Sequence, residues 1–332
     1  MKGKKVMVAG GAGFIGSQLV RELLDEGAEV SVFDNFLHGD PANLTEVKND
    51  VELVIGDLLD EWKLLGALQR IKPQYIYDLV GDTYVPTAYD IPKRFFRINV
   101  EGTMNLLLAA QVAGTERILY VSSTEVYGEA ISSEPMTEDH PLNPYNTYAV
   151  SKTAADRLCF TFHKERGIPV VLARIFNSYG ARESEPYVIP EIIAQLSKGK
   201  VLRLGNIKAR RDFTYVSDTS RGLMTIMESD VPNGDHVHVG SQITYSIEEL
   251  VSMIAKIMDV PDYEIVIDPA RFRKLDIEMF YCNNSRLKSL GWKPLVGIEE
   301  GLRKTVEWYI SHGSRWSWED WTDGTILYDA KM

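Results

Sequence analysis

Tyr148 and Lys152, four residues apart in the segment YAVSK, are a pair of side chains suited to redox chemistry. On a helix that spacing places both on one face. A phenol titrates near ~10 and is a poor base at neutral pH, but a neighbouring ammonium and a cationic cofactor ring both favour the phenolate. Such a phenolate can take the proton of an alcohol while hydride leaves for the cofactor. Y-x-x-x-K alone is common by chance and is more often a solvated helix face. Here it follows the apolar run ILYV by one long connection, in a chain that also carries a glycine-rich loop.

That loop is the segment Gly10, Gly11, Ala12, Gly13, Phe14, Ile15, Gly16, which follows a predicted strand and opens a predicted helix. Gly10 permits a tight turn, Gly13 lets the backbone approach a pyrophosphate, and Gly16 allows close packing of helix on strand. A second predicted strand, EVSVF, leads into Asp34, eighteen residues after Gly16. A carboxylate there binds both ribose hydroxyls and repels a 2′-phosphate, which favours NAD over NADP. Asp57 and Leu58, at the end of the strand in VIGDLLD, are placed to border the adenine. His236 and His238 in HVHVG alternate as a strand does and have no third ligand at a sensible spacing, so no metal site is expected.

These residues need a scaffold that brings strand ends together. Short β-branched runs alternate with amphipathic stretches through the first 175 residues, the pattern of βαβ units around a parallel sheet. Strands are predicted at Lys5–Ala9, Glu29–Phe33, Val51–Ile55, Tyr75–Leu79, Arg117–Val121 and Val170–Arg174; helices at Phe14–Glu26, Asp60–Ile71, Lys93–Ala113 and Thr147–Arg166. The runs VMVA, YIYDLV and ILYVS are continuously apolar, as strands buried on both faces must be. The expected fold is therefore α/β, a doubly wound, Rossmann-like parallel sheet over residues 1–177, with 212–229 returning to it. A smaller α/β substrate domain occupies most of 178–332.

The 332-residue chain is 45% hydrophobic and 25% charged, an ordinary globular composition. A net charge of −11 argues against binding nucleic acid, which needs a clustered cationic excess. Two cysteines, Cys159 and Cys282, support no disulfide framework and fit a reducing, cytoplasmic setting. No stretch is apolar for ~18 residues, so no membrane span is expected. Trp316, Trp318 and Trp321 in the acidic tail read as packing against the body or a partner subunit rather than as a sugar platform.

From GGAGFIG through DNF, GDL, NVEGT, SSTEVYG, YAVSK, RIFNSYG and RRDFTYVSD to SLGWKP, the chain resembles the extended short-chain dehydrogenase/reductase family, in its nucleotide-sugar epimerase, dehydratase and decarboxylase group. The resemblance implies NAD contacts at Phe14, Ile15, Asp34, Asn35, Asp57, Leu58, Leu79, Asn99 and Phe176. It implies that Ser123 bonds the reacting sugar hydroxyl, with Thr124 beside it. Asn177 and Arg211, with Arg273 as a weaker match, would grip a sugar diphosphate, for which a guanidinium fork is suited. It also implies a homodimer through four helices, here using Phe96, Val100, Leu107, Leu158 and Phe162. One departure stands out: Asp78-Leu79-Val80-Gly81-Asp82 replaces a His-Leu-Ala-Ala-like stretch, and a carboxylate at Asp82 would repel a pyrophosphate unless turned away.

Glu125 stands where simple 4-epimerases have a small or hydroxyl residue, and it resembles the dehydratase base. In that scheme oxidation at carbon 4 acidifies the hydrogen on carbon 5, Glu125 removes it, water leaves from carbon 6, and the hydride returns there. Thr124 replaces the aspartate of many 4,6-dehydratases, as in GDP-mannose dehydratases and UDP-glucuronate decarboxylases. The expectation is an NAD-dependent nucleotide-diphosphate-sugar 4,6-dehydratase. A 4-epimerase or UDP-glucuronate decarboxylase is the alternative, and an NAD-binding scaffold the non-enzymatic one.

Overall fold

The computed structural model describes residues 1–183, 186–272, 275 and 277–312. Arg273 and the three tail tryptophans lie outside them. In chain order the first part runs β1 (Lys5–Ala9), α1 (Phe14–Asp25), β2 (Glu29–Asp34), β3 (Val51–Ile55), α2 (Glu61–Ile71) and β4 (Tyr75–Asp78). Next come α3 (Val85–Ala88), α4 (Pro92–Phe96), a π-turn (Arg97–Gly102), α5 (Thr103–Ala113), β5 (Arg117–Ser123), α6 (Thr147–Arg166) and β6 (Val170–Ile175). The second part comprises β7 (Asn177–Tyr179), α7 (Val188–Lys198), β8 (Val201–Leu204), β9 (Arg210–Tyr215), α8 (Val216–Glu228), β10 (His236–Val239) and β11 (Thr244–Ser246). It ends with α9 (Ile247–Ile257), β12 (Glu264–Ile267), β13 (Met279–Phe280), α10 (Ser285–Ser289) and α11 (Ile298–Ser311).

Seven parallel strands form the main sheet in the order β10-β6-β5-β4-β1-β2-β3. Its two faces are filled separately. Val6 and Val8 pack with Leu19 and Leu23 of α1 and Leu223 of α8, while Met7 and Ala9 pack with Leu64 of α2, Leu106 of α5 and Cys159 of α6. Because both faces are buried, the strand sequences lose their alternation and read as apolar runs. A third core, with Ile192, Phe213, Leu250 and Leu302, holds the smaller body together.

The return to the main sheet begins later than 212 and extends further than 229. Residues 212–215 belong to β9 of the smaller body, whereas α8 packs on α1 and β10 completes the sheet edge beside β6. The long helix expected over Lys93–Ala113 is continuous through the π-turn, whose extra residue per turn lets Asn99 face inward, fully buried. Leu107 and Phe162, expected at a subunit interface, instead fill the protomer's own core beneath the sheet. The exposed apolar side chains on these helices are Phe96, Val112 and Val150. Among the described residues no helix is long and apolar enough to cross a membrane.

Candidate active site

The carboxyl ends of the parallel strands open into one cavity of about 770 Å³ that reaches from the glycine loop into the smaller body. This is where open α/β sheets bind ligands, since loops there diverge to either face. Gly10 turns with φ of +79°, and a Cβ at Gly16 would run into the Gly10 carbonyl oxygen. Gly13 donates its N–H to that same carbonyl at 3.2 Å. The loop therefore has the tightness and bare backbone that a pyrophosphate needs at a helix N-terminus.

Asp34 ends β2 against this loop. Its carboxylate accepts the Ala12 N–H at 2.9 Å and the Phe36 N–H at 2.8 Å, which fixes both oxygens at the cavity wall. Burial raises its pKa, and those two hydrogen bonds oppose the shift. A 2′-phosphate set against it meets a like charge, so NAD is expected to bind at least tenfold tighter than NADP, about 1.4 kcal/mol. Calorimetry on the wild type and Asp34→Ala checks this; equal affinities in the wild type would remove the role given to Asp34. Asn35 donates to Asp57 at 2.9 Å, and Asp57 accepts the Leu59 N–H at 2.9 Å, so the ends of β2 and β3 are tied beside Leu58. Phe14, Ile15, Leu79 and Phe176 also line the cavity.

Asn99 does not line it. Its amide accepts the Asp82 N–H at 2.8 Å and donates to the Asp82 carbonyl and to Ser151 Oγ, so it braces the loop after β4 from behind. The Asp82 side chain is turned away into an ion pair with Arg94 at 2.8 Å, and His38 Nε2 lies 3.3 Å from it. The anticipated repulsion is thereby partly neutralised. Asp78 is buried at the end of β4, where its carboxylate accepts the Val80 N–H at 3.2 Å and the Thr103 hydroxyl at 3.4 Å. Burial pushes it up to about 6 against the opposing charge of Lys152.

Ser123 ends β5, and a short turn carries Thr124 and Glu125 into the cavity. Opposite them Asn146, a residue the sequence reading missed, stands immediately before α6. Its Oδ1 caps the helix by accepting the Ala149 N–H at 2.8 Å, and its Nδ2 donates to Glu125 at 3.0 Å. One amide thus fixes the carboxylate relative to the first turn of the helix, where Tyr148 sits. An Asn immediately before the predicted helix was the available signal. Tyr148 hydrogen-bonds Ser123, and its ring packs edge-on against Phe95 at 6.3 Å. Burial pushes the phenol well above its ordinary value; Ser123 opposes this, while the negative charges of Glu125 and Asp82 add to it.

Lys152 shares the Tyr148 face of α6, but it lies behind Gly81. A Cβ at Gly81 would stand 3.9 Å from Nζ. The ammonium donates to the Val121 carbonyl at 2.7 Å and lies 4.3 Å from the centre of the Tyr120 ring. Burial pulls Lys152 down to about 8, and Asp78 resists that shift. One turn further along α6, Asp156 accepts Ser122 at 2.8 Å and pairs with Arg174, which donates to Tyr127 at 2.8 Å; Tyr127 meets His238 at 2.5 Å. His238 is held neutral, its pKa down to about 3 through burial and Arg174. The HVHVG strand therefore braces the site. Among the described residues no cluster of three potential metal ligands exists.

On the side of the smaller body, Asn177 and Arg211 line the cavity, and Arg211 lies over the Phe280 ring at 5.4 Å. Arg271, unforeseen from sequence, also lines it and pairs with Glu191 at 2.7 Å. Thr83 and Tyr187 hydroxyls meet at 2.9 Å, joining the loop after β4 to the smaller body.

The GDP-mannose 4,6 dehydratase family model matches residues 7–305. The mouse dTDP-D-glucose 4,6-dehydratase is 31% identical over 94% of this chain and 90% of its own. The zebrafish UDP-glucuronic acid decarboxylase 1 is 32% identical over 92% of this chain and 72% of its own. In structure, the NAD-bound dTDP-glucose 4,6-dehydratase DesIV of Streptomyces venezuelae aligns with a TM-score of 0.87 at 30% identity, covering 94% of this chain and 98% of that one.

Proposed function

Starting from a chain that belongs to the GDP-mannose 4,6 dehydratase family of extended short-chain dehydrogenases/reductases, we propose that it is an NAD-dependent 4,6-dehydratase of a nucleotide-diphosphate sugar. The observation that carries this reading is Glu125, a carboxylate anchored by Asn146 in the same cavity as Ser123 and Tyr148. Exchange of a carbon 4 configuration needs one acid–base group, which Tyr148 supplies. A second, separately anchored carboxylate is what removal of a proton from carbon 5 requires.

Bound NAD supplies the hydride acceptor. Ser123 and Tyr148 hold the 4-hydroxyl, and Tyr148 takes its proton. Burial, Glu125 and Asp82 all oppose ionisation of the phenol, and the part given to the Lys152 ammonium, on the same face of α6, is to offset them together with the cationic ring of the cofactor. Glu125 then accepts the carbon 5 proton and passes it to the 6-hydroxyl, which leaves as water; the hydride taken from carbon 4 ends on carbon 6 and a proton from solvent on carbon 5. Arg211 and Asn177 hold the diphosphate.

The charge around the site supports a neutral carbon 6 over a uronic acid. Among the described lining residues the cations are Arg211 and Arg271, against Asp34, Asp57, Glu125, Glu183 and Glu191. The charged groups acting on Tyr148 are Glu125 and Asp82, both acidic. A sugar 6-carboxylate beside them would lack a counter-ion. Mass spectrometry of UDP-, GDP-, CDP- and dTDP-sugars after incubation tests the reading. Loss of water from one of them is expected; loss of carbon dioxide from a UDP-uronic acid, or a new isomer of unchanged mass, overturns it.

The assembly proposed is a homodimer through α5 and α6. Helix α5 is apolar on nearly every side, and Val112, Val150 and Phe96 remain exposed on this flank. Light scattering at micromolar concentration is expected to give twice the chain mass; a monomer would reject the interface.

A further inference from the structure

We infer that Asp82, His38 and Arg94 form a clasp across the cofactor half of the cavity, and that these three residues set how long a dinucleotide stays bound. The inference rests on the NAD reading above. Asp82 is 0% exposed, and burying a carboxylate is costly unless it is paired. Its partners come from two other parts of the chain: His38 from the loop after β2, and Arg94 from α4. Arg94 Nη2 and His38 Nε2 are themselves 3.0 Å apart, so the three side chains form one closed cluster.

The position of each anchor gives the cluster its consequence. The loop carrying His38 is sewn to the glycine loop: Asp40 donates its N–H to the Ala12 carbonyl at 3.2 Å, and Asn43 donates to the same carbonyl at 2.9 Å. Gly39 fits closely there, since a Cβ would stand 2.9 Å from the Ala12 backbone. On the far side, Asp82 belongs to the loop after β4, which Asn99 ties through Ser151 to the carbonyl of Tyr148. Both loops line the cavity. A ligand lying along the glycine loop is therefore bounded on one side by residues 37–39 and on the other by residues 79–83, and Arg94, held by Asp82 and donating to His38, joins the two.

Neither Asp82 oxygen accepts an aligned hydrogen bond among the described residues, so the carboxylate holds Arg94 by charge at 2.8 Å, and Arg94 in turn donates to His38 Nε2 at 3.0 Å. A contact of this kind can open without breaking backbone pairing. Opening it frees the loop after β2 from the loop after β4, which is the movement release requires. A reaction that returns hydride to the sugar from which it came needs the reduced cofactor to remain in place for the whole cycle. The clasp supplies that retention.

The experiment measures release of bound NAD from the full-length protein, chased with excess 1,N6-etheno-NAD and followed by fluorescence, without any sugar. His38→Ala, Arg94→Gln and Asp82→Asn are each expected to release NAD at least tenfold faster than wild type. The double variant His38→Ala/Asp82→Asn should release it less than multiplicatively faster, because both changes break the same Asp82–Arg94–His38 chain. KM for the sugar nucleotide should stay near wild type in the partly exposed His38→Ala, which separates retention from distortion of the site. Wild-type release rates in folded His38→Ala and Arg94→Gln overturn the clasp, whatever becomes of the buried Asp82→Asn. Failure of the wild-type protein to bind NAD at all overturns the cofactor reading itself, a result distinct from the first.

Discussion

Tyr148→Phe is expected to lower turnover by roughly 100-fold or more, about 2.7 kcal/mol in activation free energy, as removal of a positioned general base does. The ring stays packed against Phe95, and the group lost is the oxygen that meets Ser123. The fold should therefore melt close to the wild type, and NAD should still bind, because the cavity walls at Gly10–Ile15 and Asp34 are untouched. Single-turnover absorbance of reduced nicotinamide, on mixing with the sugar nucleotide that the wild type dehydrates, reports the first oxidation directly. It should slow in parallel with turnover. A variant that oxidises at the wild-type rate would remove Tyr148 from the proton transfer and leave it as a wall of the site. Burial raises the phenol, and if the Lys152 charge offsets that rise, as proposed, Lys152→Ala should slow the same step while leaving Tyr148 in place.

Glu125→Gln separates oxidation from elimination. The amide oxygen of glutamine can still accept from Asn146 Nδ2, so the geometry at the start of α6 is retained while the basic oxygen is lost. Oxidation at carbon 4 should proceed, and removal of the carbon 5 proton should fall by roughly 100-fold or more. Reduced nicotinamide absorbance should then accumulate with little dehydrated product. Solvent deuterium should no longer enter carbon 5. Water loss and deuterium entry at the wild-type rate in Glu125→Gln would show that another group is the base, and the epimerase or decarboxylase reading would gain. Asn146→Ala gives a graded version: it removes both the cap and the anchor, so it should lower elimination and also destabilise the helix start by about 1 kcal/mol.

Local rules explain what could be read in advance. The glycine loop, Asp34 and the Tyr148/Lys152 spacing each depend on a few consecutive residues, because a tight turn, a strand end and a helix face are set by short-range sterics and periodicity. The helix expected at Thr147–Arg166 begins and ends at those residues, and the strand at Val51–Ile55 likewise. The helix expected over 93–113 is present without a break, but it widens into a π-turn at Arg97–Gly102 that no local signal in RINVEG marks, with Asn99 buried inside it. The dimer face was misread at Leu107 and Phe162 because periodicity says a side chain is apolar, not which of two neighbouring surfaces covers it.

The sequence by itself determined the class of fold, the glycine loop and the placement of Tyr148 and Lys152 on one helix face, since these are written in contiguous segments. Only the tertiary structure decided what the acidic departures do. Asp82 reads as a threat to a pyrophosphate until His38, forty-four residues earlier, and Arg94, twelve later, are brought to it. Lys152 reads as a partner for Tyr148, yet its pKa is lowered by burial behind Gly81 and held up by Asp78 at the end of β4. Charge in a protein interior depends on what lies within a few ångströms in space, and residues that distant along the chain meet only once the sheet has ordered its strand ends.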